Sequence, residues 1–560
     1  MSVLRHDVVI VGAGLAGLRA AVTLGDLPGV DVAIISKLHP LRSHSGAAEG
    51  GINAALTPDD RWEDHMYDTV KGSDYVSDQD AVEVMCREAP AEVYWLEHAG
   101  TLFNRADDGT LAIRNFGGAG RPRTAFVADI TGHALLHTLY EQTVARGVKV
   151  YEEWFVTELV VENEQVKGLV ALDVMTGELH QVAAKAVIMA TGGYGRVYHG
   201  RTTNAWSSTG DGMAAAYRAG VPLADMEFVQ FHPTTLKSNG VLLTEGNRGE
   251  GGYLLNSLGE RFMSKYTPTK MELGPRDMVS RAEIIEINEG RGVDGCVLLD
   301  IRHLGEAKIM ERLPGTRELS MHFAGVDPVY EPIPVRPGQH YAMGGVRTDL
   351  NGVTVVKGLY AAGECACVSV HGANRLGANS LLDTLIFGRR SAEHAYEYVK
   401  NVPPPEASES YLQREEDRTR AMLGREGTES IAQIRNEMGL EMADNMGVFR
   451  TPEQMQHAVS AIRELKERVK DAPVQDKGRI FNTDLTGALE IENMLELAEV
   501  ISVGALARTE SRGAHSRLDF PDRDDVNWLK HTLAFRGEGG PRLEYGPVTI
   551  TRFQPEERKY

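Results

Sequence analysis

A histidine stands in the middle of a loop of small residues, LRSHSGAAEGG, residues 41–51. Ser, Gly and Ala let backbone come close to a ligand, and the imidazole of His44 is a nucleophilic group aimed into the cleared space. A second stretch, HDVVIVGAGLAGLRAAVTL, sets Gly12, Gly14 and Gly17 in a G-x-G-x-x-G spacing between an apolar run and a helical pattern. The first glycine makes a tight turn, the second lets backbone approach a pyrophosphate, and the third lets helix pack on strand. The phosphate then sits at the helix N-terminus. The chemistry these spacings predict is dinucleotide binding. The acidic residue that ordinarily ends the second strand and holds the ribose is absent, and Ser36-Lys37 follows VDVAII instead.

The strand-then-glycine design recurs in AAKAVIMATGGYGRVY, residues 183–198, and in VVKGLYAAGECACV, residues 355–368. A dinucleotide fold that gathers strands from distant parts of one chain is typical of FAD proteins, so the sequence between them is read as inserted. The expected fold is α/β: a Rossmann-like FAD-binding domain over 1–235 and 336–405, with an inserted α+β capping domain over 236–335. A helical domain over 406–510 follows, where QREEDRTRAML and QMQHAVSAIRELKERVKD carry apolar residues every three or four. A small C-terminal segment covers 511–560, and PPPEASES reads as the linker after the FAD-binding part.

The bulk numbers narrow the class. At 560 residues the chain is too long for one core. A formal charge of −20 argues against nucleic acid as a partner. No apolar run approaches the roughly 18 residues of a membrane span, and no secretory signal is read at the start. The four cysteines resemble neither a disulfide framework nor a four-thiolate cluster, and no metal site is expected. Cys365-Ala-Cys367 reads as packing rather than as a redox pair.

The chain resembles, along nearly its whole length, the flavoprotein subunits of succinate dehydrogenase and quinol:fumarate reductase. The resemblance rests on RSHSGAAEGG, HMYDTVKGSDY, TGHALLHTLY, STGDGM, QFHPT, TEGNRGEGGYLLN, GPRDMVSRA, HYAMGG and HGANRLGANSLLD, in that order. It implies FAD bonded covalently through His44, with the small residues of the loop making room for the ring. It also implies that Gly12, Ala13, Gly14, Leu15, Ala16 and Gly17 hold the pyrophosphate. Ser36, Lys37, Ser43, Ser45, Gly50 and Gly51 would wrap the ribose and ring. Asp211 and Glu364 would accept FAD hydroxyls, with Glu364 replacing the acid missing after the second strand. Ser380 and Leu381 lie where a helix is expected to start, offering N–H groups to the flavin.

By the same resemblance His232, Thr244, His340 and Arg375 bind a dicarboxylate. Arg375 is suited to a bidentate grip on one end. Arg276 is the implied proton acceptor, with Glu245 and Arg248 as its relay to solvent. An arginine, whose pKa exceeds about 12, can serve as a base only inside such a relay. The expected activity is oxidation of succinate to fumarate. Its partners would be an iron–sulfur subunit, a membrane anchor reached through it and, indirectly, quinone, with the chain peripheral at the cytoplasmic face of the cell membrane. Fumarate reduction is the alternative, and L-aspartate oxidase chemistry a more distant one. Glu49 and RDDVNWLKHTLAFR lean toward fumarate reductases, whereas GLYAAGECACVSVHGANRLG leans toward succinate dehydrogenases. The run ESRGAHSRLDFPDRDD fits two readings: a segment reaching the flavin-binding part or the iron–sulfur partner, or a solvated charge run.

Overall fold

The computed structural model describes residues 4–406 and 408–560. Residues 1–3, at the head of the expected FAD-binding domain, and Ala407, in the expected linker, lie outside the described residues. The apolar run Leu4–Val11 forms a strand whose last four residues are buried. It pairs in parallel with Val32–Ser36 on one side and Glu178–Met189 on the other, with Val9 opposite both Ala33 and Val187. Lys149–Glu152 continues the parallel order beyond Val32–Ser36, and Leu359–Ala361 joins Glu178–Met189. Parallel strands covered on both faces are apolar throughout rather than alternating, which is why VVIV, VAII and AVIM read alike. The sheet therefore does recruit the two later strand–glycine segments. A hairpin, Trp154–Glu162 with Gln165–Asp173, extends it antiparallel to seven strands.

The turn after the first strand needs its glycines. Gly12 has φ +108°, and a Cβ there would stand 2.2 Å from the Ala190 carbonyl oxygen. A Cβ on Gly17 would stand 1.9 Å from the Gly12 carbonyl oxygen, so the helix Leu15–Gly25 lies on its strand only because position 17 has no side chain.

A second sheet of four strands runs in the order Val229–Leu236, Ile333–Ala342, Val297–Asp300, Tyr253–Leu255. With the helix Arg276–Glu286 it encloses a core of its own, built on Leu254, Phe262, Val279 and Leu299. The expected boundaries at 236 and 335 fall within the antiparallel pair Val229–Leu236 and Ile333–Ala342. His232 and His340 thus sit on the strands that enter and leave this part of the molecule.

The charged tract beyond the linker is helical, in Ser410–Gly424, Ile431–Asn445, Pro452–Arg468 and Thr483–Ala507. Thr451 and Gln454 form a reciprocal capping box at the third of these. The hairpin Lys530–Gly537 with Gly540–Pro547 then pairs with Leu223–Ala224.

The run ESRGAHSRLDFPDRDD divides in two: residues 510–517 are buried or half-buried, whereas residues 518–522 are exposed. Arg512 and His515 are buried, and Arg512 donates to both oxygens of Glu510 (2.8 and 2.9 Å) and to the Asp74 carbonyl (2.9 Å). Mutual pairing is what lets these charges leave water. Among the described residues, no helix is long and apolar enough to cross a membrane.

Candidate active site

One cavity collects almost every residue singled out in the sequence. Of those candidates only Gly17 and Arg248 do not line it; the first packs helix on strand and the second stands behind Glu245. The cavity encloses about 1750 Å³ of atom-free space, its open mouth included. Its lining runs from the glycine turn at Gly12 to Arg276 and Arg375, so the dinucleotide candidates and the dicarboxylate candidates share one cavity.

The dinucleotide end is a cradle without side chains. A Cβ on Gly14 would come within 3.0 Å of Ser43 Oγ, and Ser45 Oγ accepts from the Leu15 N–H at 3.2 Å, pinning the His44 loop to the helix start. Thr191 Oγ1 is buried without a partner on the cavity wall. The helix Asn379–Val399 begins at the cavity, after Ala378 in the left-handed region at φ +64°. Its first-turn N–H groups, including those of Ser380 and Leu381, have no acceptor within the helix and carry its positive end. Burial pushes the Glu364 carboxyl up to about 7. A glycine cradle, an unpartnered hydroxyl and a helix N-terminus suit a phosphate-bearing dinucleotide with a polar ring edge.

The other end of the cavity is cationic. Arg276 Nε donates to Glu245 Oε2 at 2.7 Å, and its Nη1 donates to Gln230 Oε1 at 3.1 Å. Gln230 in turn donates to the Arg375 carbonyl at 2.8 Å, which fixes the two arginines relative to each other. Glu245 Oε1 accepts from the Gly117 N–H at 2.5 Å, and Arg248 Nη2 lies 3.6 Å from Oε2. Burial would raise the Glu245 carboxyl, but Arg276 and Arg248 outweigh it and hold it below the ordinary carboxylate range. Burial and the neighbouring Arg276 lower Arg375 to about 9, so it stays charged at neutral pH. Among the described residues its side chain makes one hydrogen bond, a 3.5 Å contact to the Leu376 carbonyl, and its Nε has no partner; the guanidinium stacks on Tyr341 at 4.5 Å. The rings of His232 and His340 lie 4.9 Å apart. Burial and then Arg276 push both well below the usual histidine range, so they are neutral donors or acceptors rather than charges. His340 Nδ1 lies 2.8 Å from Thr203 Oγ1.

Comparison with known proteins fits this arrangement. Residues 7–381 match the FAD binding domain family, and residues 435–560 match the fumarate reductase flavoprotein C-terminal family. The chain is 48% identical to a fumarate reductase flavoprotein subunit of Mycobacterium tuberculosis, over 99% of both chains. It is also 48% identical to a succinate dehydrogenase flavoprotein subunit of Rickettsia bellii, over 99% of this chain and 96% of the relative. This chain belongs to the succinate dehydrogenase/fumarate reductase flavoprotein subunit family. The structure superposes on an Escherichia coli quinol fumarate reductase subunit with a TM-score of 0.96 at 46% identity, covering 100% of this chain and 99% of that one. The protein is therefore an FAD-binding oxidoreductase of the complex II family.

Within this flavoprotein His44 is part-exposed where it lines the cavity, and its Nδ1 accepts from the Ala205 N–H at 3.3 Å. Burial and the nearby Arg196 lower it to about 4, so the ring is neutral. Lys37 and Asp211 line the cavity but are bound to each other: Lys37 Nζ lies 2.7 Å from Asp211 Oδ2 and 2.9 Å from Glu490 Oε1. Asp211 accepts in addition from Thr209 and Asn493. The lysine that stands near the expected ribose acid thus ties the flavin-binding sheet to the helix Thr483–Ala507. Cys365 and Cys367 are buried thiols with pKa values raised by burial, in keeping with packing.

Three residues of the site escaped the sequence reading: Tyr341 and Ala378 line the cavity, and Gln230 joins Arg276 to the Arg375 backbone. Gln230 was inside the quoted QFHPT, but nothing marks an amide as a bridge between two arginines that lie 99 positions apart until the strands are folded together. Ala378 carried no signal, since only its φ makes it unusual. Tyr341, beside His340, lacked one because an aromatic next to a histidine is ordinarily core.

Proposed function

We propose that this flavoprotein catalyses the oxidation of succinate to fumarate, with the reverse reaction at the same site. The observation that carries the proposal is Arg375. A buried guanidinium without a carboxylate partner is costly to maintain, and one at the cationic end of a cavity calls for an anionic ligand. A dicarboxylate supplies two anionic ends. Arg375 takes one by its planar fork, while His232, Thr244 and His340 hold and polarise the other through neutral hydrogen bonds.

Bound FAD supplies a two-electron acceptor for hydride and a donor of single electrons onward. The chain's own residues do the rest. Arg276 would take the proton from the second methylene carbon as it passes one of its own to Glu245, 2.7 Å from its Nε, with Arg248 next along the relay to solvent. His44 is the proposed tether. Its Nδ1 accepts from the Ala205 N–H, so the neutral ring carries its own proton on Nε2, and attachment at Nε2 would replace that N–H, the proton leaving to solvent. Alkylation of a ring that is already neutral costs it no charge, and withdrawing electron density from the flavin makes succinate a competent donor.

Four cysteines, all buried, leave this chain no iron–sulfur cluster of its own. A separate iron–sulfur subunit, reached by the flavin's electrons and docked to a quinone-binding membrane anchor, is proposed as the partner, with this subunit peripheral on the cytoplasmic side. Fumarate reduction as the main direction is the second reading: Glu49, which lines the cavity, stands in AAEGG in the form that resembles fumarate reductases.

Acid denaturation followed by a denaturing gel tests the tether. Flavin fluorescence on the protein band and an FAD-sized mass increment on the His44 peptide support it. Flavin in the supernatant sinks it, and aspartate oxidation is then the assay to run. Succinate and fumarate turnover in the assembled complex assign the direction.

A further inference from the structure

Arg276 is the first residue of the helix Arg276–Glu286, and the next residue, Asp277, is tied down in an unusual way. Its carboxylate is fully buried. It accepts from Arg281 Nη2, one turn on, at 2.9 Å and from Arg558 Nη2 at 2.6 Å. The same Arg558 nitrogen lies 3.2 Å from Asp74 Oδ2. Asp74 follows the helix Trp62–Gly72, in the span read as flavin-binding, whereas Asp277 belongs to the span read as capping. A single guanidinium nitrogen therefore bridges two carboxylates, one from each of these spans.

Asp74 is held from other directions too. Arg523 Nη1 and the Gly513 N–H each donate to it at 2.8 Å, and Arg281 Nη1 reaches the Gly513 carbonyl at 2.8 Å. The anchor side is thus held from several directions by the segment that contains Gly513 and Arg523. Burial would raise both carboxyls, but Arg558 and its neighbours outweigh it and keep Asp74 and Asp277 ionised. Without Arg558, two ionised groups would face each other across the junction in a low-dielectric setting, where like charges repel strongly.

We propose that Arg558 is a positioning residue: by bridging Asp277 to Asp74 it holds the first turn of the Arg276 helix against the flavin-binding part, and so keeps Arg276 aligned with Glu245 and the substrate. This rests on the proposed role of Arg276. A helix start that drifts by about 1 Å misplaces the guanidinium it carries, and such shifts cost on the order of 10²-fold in rate.

The test uses the flavin-loaded holoenzyme, with fumarate reduction and succinate oxidation measured per bound flavin. Arg558→Gln is expected to lower kcat at least tenfold, with flavin content unchanged and a smaller effect on KM. Adding Asp277→Asn to Arg558→Gln is expected to restore part of kcat, because it removes the repulsion; a merely structural loss would not be relieved by a second lesion. Asp74→Asn, which leaves Arg558 on Asp277 but weakens the anchor, is expected to lower kcat at least threefold, and it decides the matter if Arg558→Gln does not fold. Either folded single variant with kcat within 1.5-fold of the unaltered enzyme overturns the proposal. Arg276→Lys serves as the reference: if it keeps full turnover, the role of Arg276 fails instead.

Discussion

Glu245 stands between two arginines, 2.7 Å from Arg276 Nε and 3.6 Å from Arg248 Nη2, and none of the three is more than 7% exposed. A carboxylate in that place is an acceptor within hydrogen-bond reach for a proton that Arg276 gives up. Glu245→Gln keeps the shape and the hydrogen bond from Gly117 but removes the charge. We expect kcat to fall about 10²- to 10⁴-fold, the range for losing a proton-transfer group. Inhibitor binding, read from the visible flavin spectrum with malonate, should change far less. A variant that loses malonate binding in proportion to kcat would make Glu245 a substrate ligand and not part of a relay.

The tether has a separable consequence. His44→Ser leaves the glycine turn and the helix start at Asn379 intact, so FAD should still bind, now released by acid. Without the electron-withdrawing substituent the flavin potential falls. Succinate oxidation should suffer more than fumarate reduction, and a fall of about 30 mV in a two-electron potential changes the equilibrium tenfold. The ratio of the two rates in one sample is the measurement, and an unchanged ratio would show that the imidazole does not set the potential.

Much of this was legible because the chemistry lies in short local motifs. The turn at Gly12 and Gly17, the strand VVIV and the helix start before Ser380 are each decided by neighbours in sequence. The cation pair was visible only as types: Arg276 and Arg375 could be marked, but the Gln230 amide that fixes them depends on strands folding together. The least legible part was the run around Arg512. In its first half, charges dense enough to read as a solvated face are buried because Glu510, Asp525 and the Asp74 carbonyl take up the Arg512 donors. Burial of paired charge leaves no hydrophobic periodicity to detect.

Glu283 offers a test of burial without pairing. Both its oxygens lack a hydrogen-bond partner, it is fully buried, and burial holds its carboxyl well above the usual range. Glu283→Gln keeps the size and the polar head group and should leave the thermal midpoint close to that of the unaltered protein. Glu283→Leu removes the unsatisfied group and should stabilise by roughly 1 kcal/mol. A clear fall in midpoint for the Leu variant would mean that ordered water satisfies the carboxyl.

His531 sets an alkaline limit on stability. Its Nδ1 lies 2.6 Å from Asp225 Oδ2 and its Nε2 3.2 Å from Asp78 Oδ1, joining the strand Lys530–Gly537 to two distant loops. Burial would lower its pKa, but the two carboxylates outweigh it and push it up to about 9. The unfolded value is about 6.5. A folded pKa above the unfolded one means that the native state holds the proton more tightly. The stabilisation is fully present below pH about 6.5 and is lost as pH rises through about 9. The difference amounts to roughly 3 kcal/mol, shared with the two aspartates rather than owned by the histidine. Thermal midpoints between pH 6 and 10 should fall steeply for the unaltered protein. His531→Gln should start lower and stay flat over the same window. Parallel curves for the two proteins would move the alkaline limit to another group.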